Sequence, residues 1–153
     1  MIQRIQSVYL LAAFICCMVC LTSPLGTFVN EGLAEARMYN LWITLQNGAH
    51  DMLVAPLFCL LILAATVQLI TIFLFRRRPM QARLCWLAAA PLVLWYLLWA
   101  AYSLAGWGCV PAGCTYRPAA SVALPFVSLV LTVLARRGIL RDERLVKAAD
   151  RIR

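Results

Sequence analysis

The sequence predicts an all-α membrane protein: four transmembrane helices in an antiparallel bundle, N-in/C-in, with a short amphipathic C-terminal helix. Three observations carry this. Residues 5–30, 52–75, 84–116 and 118–135 contain no Lys, Arg, Asp or Glu. A helix needs about 20 apolar residues to cross a hydrocarbon core of about 30 Å, and each run is long enough, the fourth only just. Hydrophobic residues make up 64% of the 153-residue chain, far above the share in soluble domains. Finally, with the N-terminus inside, 12 of the 14 basic residues fall on inner segments, leaving only Arg37 and Arg117 outside. Such a bias in short loops places both termini in the cytoplasm.

Within a single domain of residues 1–153, the first crossing covers about 5–23, with Gln3, Arg4 and Gln6 at its wet inner end. Pro24 and Gly26 interrupt it. Its apolar run is long for a signal core and is followed by Leu21-Thr22-Ser23-Pro24-Leu25 rather than a small-x-small site, so it reads as a retained anchor. Residues 24–51 form the larger outer loop. In it Tyr39, Leu41, Ile43 and Leu45 alternate with Met38, Asn40, Trp42 and Thr44, a strand-like pattern over 37–45 closed by the Asn47-Gly48 turn signal. A lone hairpin is marginal in water, so this piece must lie on the helix ends or on a partner.

The second crossing, 52–75, carries Pro56 in its first turns, where a missing amide does least harm. Arg76-Arg77-Arg78-Pro79 ends it, and the short link makes the third crossing, 84–106, its antiparallel neighbour. Pro91 should kink that helix unless neighbours satisfy the freed carbonyl. Residues 107–117 are a second outer loop rich in Gly, Pro and Cys, and Pro118 opens the fourth crossing, 118–135. In the cytoplasmic tail, 136–153, Leu145, Ala149 and Ile152 share one helical face and Arg144, Lys147 and Arg151 another. That pattern suits a helix lying on the inner membrane surface.

The net charge of +8 belongs to the inner face, which holds 12 basic and three acidic residues. Beside four crossings its expected partner is anionic inner-leaflet lipid, met by Arg76, Arg77, Arg78, Arg136, Arg137, Arg144, Lys147 and Arg151, and not nucleic acid.

Both ends of the chain resemble a known family. The opening Met1-Ile2-Gln3-Arg4-Ile5-Gln6-Ser7-Val8-Tyr9-Leu10-Leu11 and the close, Leu134-Ala135-Arg136-Arg137-Gly138-Ile139 with Asp142-Glu143 and the run from Leu145 to Arg153, are similar to an uncharacterised family of four-span inner-membrane proteins of Bacteroidota. The resemblance implies a multi-pass protein of the bacterial inner membrane and a domain of unknown function. It transfers no activity and no catalytic residue.

Residue chemistry points the same way. Cys16, Cys17, Cys20, Cys59 and Cys85 fall in or at the crossings, where thiols serve as small core residues. Cys16 and Cys20 share a face but have no His or acid nearby, so no metal is expected. Cys109 and Cys114, both in the second outer loop, are the disulfide candidates in an oxidising compartment. Their redox alternative resembles four-span thiol oxidoreductases that pass electrons to quinone. Those use a Cys-x-x-Cys pair plus a second outer pair, whereas here the spacing is wider and the first outer loop has no cysteine.

Trp95, Trp99 and Tyr102 share one face of the third helix, with Tyr96 beside them, as core packing or as a partner or lipid face. No ionisable residue lies within a crossing, which disfavours ion-coupled transport. Gln68, Thr66, Thr71, Ser128 and Thr132 are placed for interhelical hydrogen bonds. Asp51 is expected to cap the second helix, with His50 beside it. The expectation is therefore a protein without cofactor and without catalysis, a subunit or assembly factor that meets a membrane-protein partner.

Overall fold

The computed structural model describes residues 3–30, 33–74, 78–105 and 114–150. Four helices are long and apolar enough to cross a membrane. They are α1 (Gln3–Thr22), α2 (Ala55–Phe73), α3 (Arg78–Ala105) and α4 (Ala123–Asp150). Each packs on its sequence neighbours and α4 closes back on α1, which makes a four-cornered bundle. Their outer faces are apolar and exposed, as Val8, Ile15, Leu63, Phe73, Leu97 and Phe126 show, the pattern of helices solvated by lipid chains.

The all-α expectation needs correction, because the loops build a five-stranded antiparallel sheet in the order β4-β3-β2-β1-β5. Its strands are β1 (Gly26–Asn30), β2 (Leu33–Met38), β3 (Ile43–Leu45), β4 (His50–Asp51) and β5 (Thr115–Pro118). The alternating stretch 37–45 is not one strand. It folds back between β2 and β3, where the Tyr39 N–H donates to the Trp42 carbonyl at 2.9 Å. The Asn47-Gly48 turn forms as expected between β3 and β4, with Gly48 at φ 78°, the region glycine tolerates best.

The strand β5 recruits the end of the second outer loop to β1, pairing Thr27 with Arg117 and Phe28 with Tyr116. The fourth crossing consequently does not open at Pro118. That residue ends the strand, and a short 3-10 turn, Ala120–Val122, leads into α4. Nor is the amphipathic tail a separate short helix. The helix α4 runs unbroken to Asp150, since the sequence beyond Ala135 offers good helix formers and no proline. At the other boundary α3 begins at Arg78, six residues before the apolar run, because Gln81 and Arg83 continue the helix into a polar layer. It passes through Pro91 uninterrupted.

The sheet sits on one end of the bundle. Its inward residues Phe28, Ala36, Met38 and Ile43 share one core with Cys17, Cys20, Leu57, Leu61, Leu92 and Trp95 of the helices. At Gly26 the backbone of β1 approaches β5 so closely that a Cβ would lie 2.6 Å from the Arg117 carbonyl oxygen, so a side chain there would force the strands apart. A second, smaller core of Leu10, Ala82, Cys85, Ala135 and Ile139 fills the opposite, arginine-rich end.

Candidate functional site

Three buried polar layers run through the molecule. On the bundle axis, Gln68 of α2 donates through Nε2 to Ser128 Oγ at 2.9 Å and to Thr132 Oγ1 at 3.1 Å, both on α4. Cys17 of α1 joins them, its sulfur 3.1 Å from Ser128 Oγ and 3.7 Å from Gln68 Oε1. An unsatisfied amide in hydrocarbon would cost several kcal/mol, so Gln68 fixes which faces of three helices meet. The hydroxyls of Thr66 and Thr71 make no such link, although the Thr71 carbonyl accepts from Gln81 Nε2 of α3 at 3.1 Å. Both hydroxyls donate to the carbonyls of Ile62 and Val67 four residues back, as threonines in apolar helices do.

The second layer clamps the sheet to the bundle. Asn40, in the turn between β2 and β3, is fully buried. Its amide donates to the Cys20 carbonyl at 2.7 Å, while its Oδ1 accepts from Trp95 Nε1 at 3.0 Å, so one side chain joins the sheet to α1 and α3. Beside it Trp99 Nε1 donates to Tyr116 Oη at 3.1 Å, and Tyr116 in turn donates to the Leu25 carbonyl at 3.0 Å. Burial raises the Tyr116 phenol above its usual pKa against the opposing Trp99 bond, which keeps the hydroxyl protonated and able to donate. Tyr96 and Tyr102 donate to the carbonyls of Val122 and Leu53, and Ser121 to that of Pro24.

This places the aromatic face named from the sequence. Trp95 and Trp99 stack with ring centroids 6.4 Å apart and planes within 1°, and Trp99 meets Tyr116 at 6.1 Å. Trp95 is 0% exposed and Tyr102 8%, so the indoles and phenols spend their polar atoms on the sheet and its connections. Asn40 escaped sequence reading. A lone Asn among aromatics in a loop carries no signal until the loop is folded onto the helices.

The third layer lies at the arginine-rich end, where Gln6 of α1 donates to the buried Asp142 of α4. Gly138 makes room for it, since a Cβ there would come within 3.0 Å of Gln6 Cγ.

The outward face of the sheet is polar and in register. Arg117 pairs with Thr27, Thr27 with Arg37, Arg37 with Thr44 and Thr44 with His50, one residue from each of the five strands. The two basic residues assigned to the outer loops thus stand on one face on either side of Thr27, both exposed. The His50 ring lies 3.3 Å from Thr44 Oγ1 through Nδ1. Asp51 accepts from the Leu53 N–H at 3.0 Å, which closes the turn before α2, whose N-cap is Val54.

Of the disulfide candidates, Cys109 lies outside the described residues. Cys114 is half-buried just before β5, with its thiol pushed up by desolvation and by the Glu35 carboxylate. Among the inner-surface residues, Arg76, Arg77 and Arg151 lie outside the described residues. Arg78 opens α3 and Lys147 falls in α4, while Arg137 and Arg144 are exposed and Arg136 is half-buried.

Four helices apolar and long enough to cross a membrane, tied by buried polar contacts and capped by a clamped sheet, are the build expected of a small polytopic membrane protein. The chain belongs to the family described as a domain of unknown function, DUF4293, whose model matches residues 2–152. The resemblance read at the two ends of the sequence is thereby confirmed as far as membership of an uncharacterised family. No curated protein matches the chain.

Proposed function

We propose that this protein is a non-catalytic subunit or assembly factor of a larger complex in the bacterial inner membrane, with both termini cytoplasmic and the sheet outside. The observation that carries this reading is the five-residue polar row from Arg117 to His50, displayed on a sheet whose reverse face is clamped to the bundle. A face held this firmly loses little conformational freedom on association, which favours docking. Its arginines suit an acidic segment of a partner. Extraction in a mild detergent followed by native electrophoresis tests the reading. The protein should migrate in an assembly larger than itself, and the double change Arg37→Glu with Arg117→Glu should release it without loss of the folded protein. Migration only at its own size would overturn the proposal.

The alternative is a thiol/quinone oxidoreductase using Cys109 and Cys114. Its support is the occurrence in sequence of two cysteines in one short loop, of which Cys114 packs against the core that holds Trp95. Against it, reactive thiols sit where positive charge lowers their pKa, whereas the Cys114 thiol is pushed up by desolvation and then by the Glu35 carboxylate. Trapping thiols before and after adding a reduced substrate separates the two, because a structural bridge does not cycle.

A further inference from the structure

We propose that the seam between α3 and α4 at the arginine-rich end binds one anionic phospholipid, its phosphate held by Arg136 beside Trp86. The two residues belong to different helices, and the Arg136 guanidinium carbon lies 5.0 Å above the centroid of the Trp86 ring. Both fall within the apolar spans of their helices, Pro79–Leu104 and Ala120–Leu145, near the ends that carry the arginines. Arg136 Nε is buried and, among the described residues, has no hydrogen-bond acceptor. A buried guanidinium nitrogen without an acceptor is costly, and more so at the edge of hydrocarbon than in water.

The Arg136 side chain as a whole is only half-buried, and its environment selects what the rest of the guanidinium would meet. Trp86 is 59% exposed and turned outward, so the ring that supports the cation is also open to lipid. Toward the membrane centre, Val93 and Leu97, seven and eleven residues beyond Trp86 on the same face of α3, are 49% and 64% exposed and offer an apolar track for an acyl chain. Toward water stands Arg83, exposed and three residues from Trp86, hence on the same side of α3. A phosphate has two oxygens at the spacing of the guanidinium's parallel N–H groups, which a single water or carbonyl lacks. With Arg83 nearby, a headgroup of net negative charge is favoured over a zwitterionic one, whose choline would be repelled. This differs from general attraction of a basic tail to a charged surface, because it names one arginine and one ring. It does not depend on the subunit reading, and it holds whichever side of the membrane this end faces.

The test uses the purified full chain, stripped of lipid in detergent, with phosphatidylglycerol or phosphatidylcholine added back. Native mass spectrometry reads retained lipid, and a melting curve reads the stabilisation that binding to the folded state must give. Phosphatidylglycerol should be retained and raise the melting temperature, and phosphatidylcholine should do neither. Arg136→Gln should weaken retention about tenfold, the loss expected for one charge-assisted contact. Arg136→Lys should weaken it as well, since the planar fork is lost, whereas Arg137→Gln should leave it unchanged. If Arg136→Gln fails to fold, Arg136→Lys and the exposed-site change Trp86→Leu carry the comparison. Equal losses from Arg136→Gln and Arg137→Gln would reduce the effect to surface charge and overturn the site. Equal retention of both lipids, or the same melting shift from inorganic phosphate alone, would overturn the lipid assignment.

Discussion

Trp95→Ala is expected to destabilise the protein by about 3–5 kcal/mol, the range for deleting a fully buried large aromatic side chain. Trp95 is 0% exposed and sits where the sheet meets α1 and α3. Its removal opens a cavity between Trp99 and Tyr96, whose rings it contacts at centroid distances of 6.4 and 5.0 Å. It also strips Asn40 Oδ1 of its donor. Trp95→Phe should cost less, because most of the volume stays and chiefly the hydrogen bond is lost, about 1–3 kcal/mol. Reversible unfolding in mixed micelles measures both. A Trp95→Ala protein as stable as the parent would mean that the sheet is not clamped at this point.

Asn40→Ala should rank beside it, at about 2–6 kcal/mol, because it leaves two buried groups without partners at about 1–3 kcal/mol each. These are the Trp95 indole N–H and the Cys20 carbonyl. The effect should appear as loosening of the sheet, with earlier proteolysis in residues 24–51 while the helices persist. Combined with Trp95→Phe the costs should not add, since both changes break one hydrogen bond. Full additivity in that double-mutant cycle would show that the two side chains do not interact.

The crossings were legible because each is a long local pattern. Four charge-free runs suffice to place α1 to α4 but not all of their ends, since α3 begins six residues before its run and α4 continues to Asp150. The sheet was not legible for the opposite reason. The strand β5 has four residues and pairs with β1, some 90 positions earlier, so neither the spacing nor the length of either segment announces the pairing. The register also slips between Phe28 and Val29, which breaks any simple alternation. In 37–45 the alternation is present but misleads, since the reversal between β2 and β3 occupies Tyr39 to Trp42 without a Gly or Pro to mark it.

The same division holds for the candidate site. The polar groups on the bundle axis were visible as Gln68, Ser128 and Thr132, because an amide or hydroxyl in an apolar helix stands out. That Cys17 joins them depends on helix rotation, which a nearly uniform apolar sequence leaves open. Arg37 and Arg117 were visible only as two outer charges, and their alignment across Thr27 exists only once the sheet has formed.

The central claim is that two distant loops make one sheet and present its polar face on the outside of the membrane. Cysteines in place of Arg37 and Arg117, with Cys109 and Cys114 changed to Ser, test it directly. Both pair with Thr27 from opposite sides, so their α-carbons stand two strand spacings apart, about 10 Å, on one face. A short membrane-impermeant bis-thiol cross-linker, applied to right-side-out vesicles, should join the two positions within one chain. Cross-linking only after the vesicles are opened would reverse the orientation, and accessible cysteines that never join would contradict the sheet itself.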